Sequence, residues 1–343
     1  MITENYYIIS FTVAFAVSLA ATLFFRFIAV KLNIYDHPVT AVKTHKISTP
    51  YLGGLAIWSA WTVSLVIIRL FTHFPTGTLT NIRALLIGSF LFLSLGLFDD
   101  IKKGGLGFKI KFLIQIAASL VATVGFDIRI SFIDNYFISV ALSILWIIGL
   151  SNAFNIIDIM DGLSCGIAAI AAFFFFFIAL PSEMLYVNFS AIALAGACLG
   201  FLPYNLSKKR KIFMGDTGSL SIGFILATIA LGTSYTKLNF IGVFAPLLIL
   251  AVPIFETAFV SMVRIKNGKS PFLGSKDHFP LRLEKMGLTR KQILITVYAA
   301  CAVLGVFAYL FVNLAGISSF FILLFLVIIF IFAAYKLAKI KMD

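Results

Sequence analysis

A chain of 343 residues that is 61% hydrophobic and only 12% charged, with a mean hydropathy of +1.06, has too few polar side chains to clothe a water-soluble globule. Composition therefore makes it a polytopic membrane protein. Its net charge of +13 has to gather where the chain leaves lipid. With no separate basic domain or aromatic platform, nucleic-acid binding is excluded as a reading of that charge.

Taken in order, the apolar runs fall near 6–29, 51–72, 81–98, 108–126, 136–154, 163–180, 186–205, 218–235, 239–262, 292–312 and 317–336. Each is close to the roughly 20 residues that a helix needs to cross hydrocarbon. The alternation of a barrel strand is missing, so the expected fold is all-α with about eleven transmembrane helices. The first run follows Glu4, lacks a basic leader and reads as a retained helix. Of the 27 Lys and Arg residues, all but Arg69, Arg83, Arg129 and Lys237 fall on one face if the runs alternate. That face is the cytoplasmic one, which puts the N-terminus outside and the C-terminus inside and requires an odd number of spans. Residues 1–343 read as one transmembrane domain, with short outer loops and longer inner ones near 31–50, 98–111, 152–163, 206–218 and 263–291. Cys165, Cys198 and Cys301 lie within apolar runs, without CxxC spacing, and read as small buried residues.

The inner loops carry nearly all the unusual residues. Asp36 to Gly54 contains His45 and Lys46, which suit an anion, ahead of a Gly-Gly helix start; a solvated surface is the plainer meaning of that pair. Asp99 and Asp100 end a helix just before Lys102 and Lys103, with Lys111 and Gln115 sharing a face four residues apart. One of the two carboxylates suits a cation or a proton-transfer role, or both simply pair with the lysines in water. Asn152, Asn155, Asp158 and Asp161 recur every three residues and make a polar stripe between apolar neighbours. Such groups at a membrane boundary mark a site more often than a packing accident. From Lys208 to Gly223, four cations precede Phe213, and Asp216 lies between glycines beside two hydroxyl residues, the best metal candidate in the chain. Glu256, deep in a helix, needs a partner and is either a structural bridge or part of the site. His278, with Lys276 and Arg282, suits a phosphate or nucleotide.

The ordered set HKISTPYLGG (45–54), LFDDIKK (97–103), NAFNIIDIMDGL (152–163), FMGDTGSLSIG (213–223) and KDHFPLRL (276–283) resembles the polyprenyl-phosphate N-acetylhexosamine-1-phosphate transferase superfamily, glycosyltransferase family 4. The likeness runs from about Asp36 to Leu283. It implies transfer of an N-acetylhexosamine-1-phosphate, of the GlcNAc type, from a UDP-sugar to undecaprenyl phosphate, releasing UMP and starting a cell-envelope glycan such as O-antigen. By that resemblance Asp216 is the Mg2+ ligand (Mn2+ being the alternative ion), with Asp99 or Asp100 as a second. Asp99, Asp100, Lys111 and Asp216 make up the catalytic set. His45, Lys46, Asn152, Asn155, Asp158, Asp161, Phe213, His278 and Arg282 are the substrate contacts. The partners implied are undecaprenyl phosphate, a UDP-N-acetylhexosamine, the bilayer and a second copy in a homodimer. The implied location is the bacterial inner membrane, with the active site on the cytoplasmic face.

Two departures bear on the donor sugar. Where many relatives have Asp-Gly-x-Asp-Gly, this chain has Ile159 after Asp158, and the histidine cluster usual in the last inner loop survives only as His278, with Pro280 and Leu281 beyond it. The first alters a contact that relies on backbone freedom at position 159; the second weighs against the alternative, a phospho-N-acetylmuramoyl-pentapeptide transferase. A secondary transporter, the competing class, would gather its ionisable groups near midplane at broken helices, whereas these acids line one surface.

Overall fold

The computed structural model describes residues 5–38, 47–102, 104–182, 184–233, 240–272, 274–313, 316–340 and 342. It is built almost entirely of helices, which form two compact units.

The first unit contains α1 (Asn5–Lys31), α2 (Gly53–Phe71), α3 (Thr76–Ile101), α4 (Phe108–Leu120, continued by a π-turn, Val121–Gly125), α5 (Tyr136–Ile157), α6 (Leu163–Ala179), α7 (Leu185–Asn205) and α8 (Gly215–Gly232). Its interior is packed around Trp61, Phe154, Phe175, Phe189, Phe201 and Phe224. Several polar atoms inside bond to main chain: Trp61 Nε1 donates to Ser190 O at 3.0 Å, and Trp146 Nε1 to Ala227 O at 3.1 Å. Ser151 and Thr228 each donate to the carbonyl four residues back.

Backbone pairing ties three segments of this unit together at one end. Two short strands, β1 (Tyr35–Asp36) and β2 (Thr49–Pro50), pair antiparallel, a feature the helix-only expectation did not contain. Phe213 N–H then donates to Pro50 O at 2.8 Å, while Gly53 N–H and Gly54 N–H donate to Phe213 O and Met214 O at 3.0 and 2.9 Å. The first donors of α2, which have no partner within their own helix, are thus satisfied by the segment that opens α8.

The second unit contains α9 (Ala245–Ile249), α10 (Ala251–Lys266), α11 (Phe279–Lys285), α12 (Arg290–Asn313) and α13 (Gly316–Ala338). Here Gly242–Ile249 and Ala251–Lys266 meet at a bend of 68°. Pro253, in the first turn of α10, lacks the N–H that would continue the helix and crowds the carbonyl of Ile249.

Among the described residues, nine helices are long and apolar enough to cross a hydrocarbon layer, or ten if the bent pair is one span. The remaining run of the expected eleven corresponds to α6, a shorter apolar helix. α6 has 17 residues, about 25 Å of rise, at the short end of what a crossing needs; the run near 239–262 is broken rather than continuous.

Candidate active site

Three helix ends of the first unit converge on one cluster of charge. α3 delivers Asp99 and Asp100 in its last turn, α4 delivers Lys111 near its start, and α8 delivers Asp216 in its first turn. The Lys111 ammonium lies 2.6 Å from Asp99 Oδ2 and 2.9 Å from Asp216 Oδ2, joining carboxylates that are 117 positions apart in sequence. The other oxygens of those carboxylates have neutral donors. Asn155 Nδ2 donates to Asp216 Oδ1 at 2.8 Å and also reaches Ser219 Oγ at 3.0 Å. Leu106 N–H donates to Asp99 Oδ1.

Asp100 faces a different way, as adjacent residues of one turn must. Its Oδ1 accepts from Asp216 N–H at 3.0 Å, and its Oδ2 accepts from Thr217 N–H at 3.0 Å and Thr217 Oγ1–H at 2.6 Å. A carboxylate from α3 therefore caps the N-terminus of α8, where backbone donors are unpaired and the helix dipole favours negative charge. Gly215, at φ +72°, starts that helix; a Cβ there would lie 2.4 Å from Asp100 Oδ2. The left-handed backbone and the cap both require glycine. Tyr51 Oη–H donates to the main-chain carbonyl of Asp100. Withdrawal from water, followed by the Asp100 charge, pushes the Tyr51 hydroxyl up to about 12, so it stays a donor at physiological pH.

Asp100→Asn can offer an acceptor to only one of these two N–H groups and turns an amide N–H toward the other. Unfolding stability is expected to fall by about 1–3 kcal/mol, measured as a lower thermal midpoint in detergent. An unchanged midpoint for Asp100→Ala would show that the cap contributes nothing.

The polar stripe on α5 divides into separate roles. Asn152 Nδ2 donates to Gln115 Oε1 at 2.8 Å and to Ile148 O at 2.8 Å, bracing α5 against α4. Asn155 reaches the charged cluster. Asp158 follows the end of α5, and its carboxyl is pushed up to about 8, first by withdrawal from water and then by the charges of Asp216 and Asp161. The shift brings its proton loss toward neutral pH. Asp161 belongs to a second cluster: its Oδ2 lies 2.6 Å from Lys211 Nζ, and that ammonium sits 4.9 Å from the centroid of the Phe213 ring. Asn205 braces this corner, accepting from Gly162 N–H at 2.6 Å and donating to Ile212 O at 2.9 Å.

His278 and Arg282 lie in the second unit, where their side chains are buried and engaged. His278 Nδ1 is 2.6 Å from Glu256 Oε1, and Glu256 Oε2 accepts from Phe279 N–H at 3.1 Å. Arg282 pairs with Asp277 at 3.2 Å and donates to the carbonyls of Leu337, at 3.0 Å, and Ile340 near the end of α13. Glu256 is thus a structural bridge. Pro280 and Leu281 are buried within α11. His45 and Lys46 lie outside the described residues.

Several participants are not singled out by sequence. Lys211 shows there only as one of four cations, and Thr217 and Ser219 as an unassigned hydroxyl pair; Tyr51 and Asn205 give no signal. No group of three or more His, Cys, Asp or Glu residues is arranged to hold a metal ion among the described residues.

Residues 82–234 match the model of a family described as glycosyl transferase family 4. A probable undecaprenyl-phosphate N-acetylglucosaminyl 1-phosphate transferase of Bacillus subtilis is 31% identical over 332 residues, covering 93% of this chain and 90% of that protein. A decaprenyl-phosphate N-acetylglucosaminephosphotransferase of Mycolicibacterium smegmatis is 29% identical, covering 81% of this chain and 75% of its own. A phospho-N-acetylmuramoyl-pentapeptide-transferase of Bacillus cytotoxicus is 32% identical over 293 residues, with 77% of this chain and 86% of the other aligned. The cluster of Asp99, Asp100, Lys111, Asn155 and Asp216 falls wholly inside the matched stretch.

Proposed function

We propose, starting from the fact that this chain belongs to glycosyl transferase family 4, that it transfers N-acetylglucosamine-1-phosphate from its UDP derivative to undecaprenyl phosphate on the cytoplasmic face of a bacterial inner membrane. The observation that carries the reading is the convergence of Asp99, Lys111 and Asp216 within 2.9 Å at adjoining helix ends. Its placement at the end of long apolar helices suits a reaction between a water-borne nucleotide and a lipid head group. The concentration of Lys and Arg in the same set of loops supports the cytoplasmic side.

The chemistry asks an anionic lipid phosphate to attack the sugar-linked phosphorus of a diphosphate. One P–O bond forms as the bridging P–O bond breaks, and UMP leaves with the bridging oxygen. Lys111 supplies positive charge to the phosphate oxygens at that centre. Asp99 orients the lysine from the α3 side, while Asp100 fixes the start of α8 and with it the aim of Asp216. Asn155 holds the second oxygen of Asp216. Asp158 offers a hydrogen bond to the nucleotide sugar, and Phe213 offers a ring face for the base, with Asp161 and Lys211 beside it.

The donor chemistry here fits Mg2+. That ion is commonly held by only one or two carboxylates together with substrate phosphates, rather than by an all-protein cage, so the lack of a third acid is no obstacle. Asp216 would hold it with Asp99 at its side, and it would supply charge neutralisation to the diphosphate and to departing UMP. Mn2+ satisfies the same donors.

The choice of N-acetylglucosamine over the muramoyl-pentapeptide donor rests on the last loop, where His278 is bound to Glu256 and its neighbours Pro280 and Leu281 are buried. Purified protein given undecaprenyl phosphate is expected to release UMP from UDP-N-acetylglucosamine and not from UDP-N-acetylmuramoyl-pentapeptide. The release should stop on chelation with EDTA and return with added Mg2+. Turnover of only the muramoyl donor would reverse the sugar assignment, and no UMP from either would remove the transferase reading.

A further inference from the structure

The position between Asp99 Oδ2 and Asp216 Oδ2 is a cation position, and it is filled by the protein's own ammonium. Both carboxylates send one oxygen to Lys111 Nζ, at 2.6 and 2.9 Å, and give the other to a neutral donor, Leu106 N–H or Asn155 Nδ2. Asp100 faces away from the lysine, its two oxygens accepting from the first turn of α8. Nor are the three partners loosely placed at the surface, since the side chains are only 24%, 11% and 27% exposed for Lys111, Asp99 and Asp216.

Mg2+ bonds carboxylate oxygen at about 2.0–2.1 Å. Held by both Asp99 Oδ2 and Asp216 Oδ2 it would occupy the position of the ammonium, and two cations that close repel. Ion and lysine cannot share the place. We propose that Lys111 is a resident counter-ion which a divalent cation displaces, and that the displaced ammonium then turns to the substrate phosphate. This rests on the Mg2+ reading given above. It adds that the ion and the lysine exchange positions, which couples the arrival of metal to the availability of the phosphate-binding charge. Lys111 has the means to move: it lies in the first turn of α4, and four flexible methylenes separate its charge from the backbone.

The test needs no turnover. Full-length protein in detergent, without substrate, is treated with an amine-acetylating reagent in EDTA or in Mg2+, and peptides are quantified by mass spectrometry against the exposed Lys209. Mg2+ is expected to raise the acetylation rate of Lys111 relative to Lys209, within the ~5–150-fold range of a typical site-to-site coupling. Calorimetric titration of Lys111→Gln with Mg2+ should show tighter binding than wild type by a factor in that same ~5–150-fold range, since no ammonium has to leave. If Mg2+ binds the wild type while Lys111 labelling stays constant and Lys111→Gln gains no affinity, the exchange is refuted and the metal assignment stands. If neither protein binds Mg2+, the metal assignment falls and takes the exchange with it.

Discussion

Asp216→Asn is expected to abolish most of the UMP release, by at least about 10²–10³-fold in turnover, in protein that still folds, with a stability loss of about 1–3 kcal/mol because the amide N–H must face Lys111 or Asn155. The substitution keeps shape and removes charge at the one carboxylate that both Lys111 and Asn155 hold in place. The main-chain N–H groups of residues 216 and 217 stay on Asp100, so α8 keeps its start. What is lost is the negative oxygen that fixes the lysine from the α8 side and is assigned to the metal. Asp216→Asn with wild-type turnover in detergent would remove Asp216 from the chemistry.

Gly96→Ala is the second large effect, and it acts without touching any charged group. A Cβ on Gly96 would lie 2.4 Å from Asp216 O and 2.5 Å from both Asp216 C and Thr217 N. All three atoms are backbone, so no flexible side chain can swing aside. α3 and α8 would have to part by about 1 Å, a displacement of the size that costs on the order of 10²-fold in rate when it misplaces a reacting group. The strain is also expected to cost about 1–3 kcal/mol of stability. At Gly77, near the start of the same helix, an added methyl group would meet nothing within 4 Å, which makes Gly77→Ala the matched control. If Gly96→Ala behaves as Gly77→Ala does in turnover and in thermal melting, the close approach of the two helices is unimportant.

The helical, polytopic character was legible because composition leaves few alternatives. The acids of the site could be picked out for the same reason: in so apolar a chain, a carboxylate at a helix end has a high desolvation cost and needs a cause. Sequence could not divide the work between Asp99 and Asp100. They are neighbours, yet one meets Lys111 and the other caps a helix that begins 115 residues later, a distinction set by packing alone. Glu256 clearly required a partner, but the choice of His278 depends on how α10 and α11 fold together. The break before α10 had a visible cause in Pro253, which the hydropathy of the run concealed. The pairing of β1 with β2 was hidden by brevity, two residues per strand being too few for any alternation to register.

The braces that join residues 50–54 to residues 213–214 are made entirely of main-chain donors and acceptors. At Gly53 and Gly54 the joint admits no side chain, a Cβ there lying 2.3 Å from the Phe201 ring and 2.2 Å from Gly218 N, whereas Phe213 contributes to it only through its own N–H and carbonyl. Phe213 can therefore be exchanged for another aromatic or aliphatic group without loosening the scaffold beneath it. The residue at 213 can thus vary while the acid two residues past the joint keeps its aim.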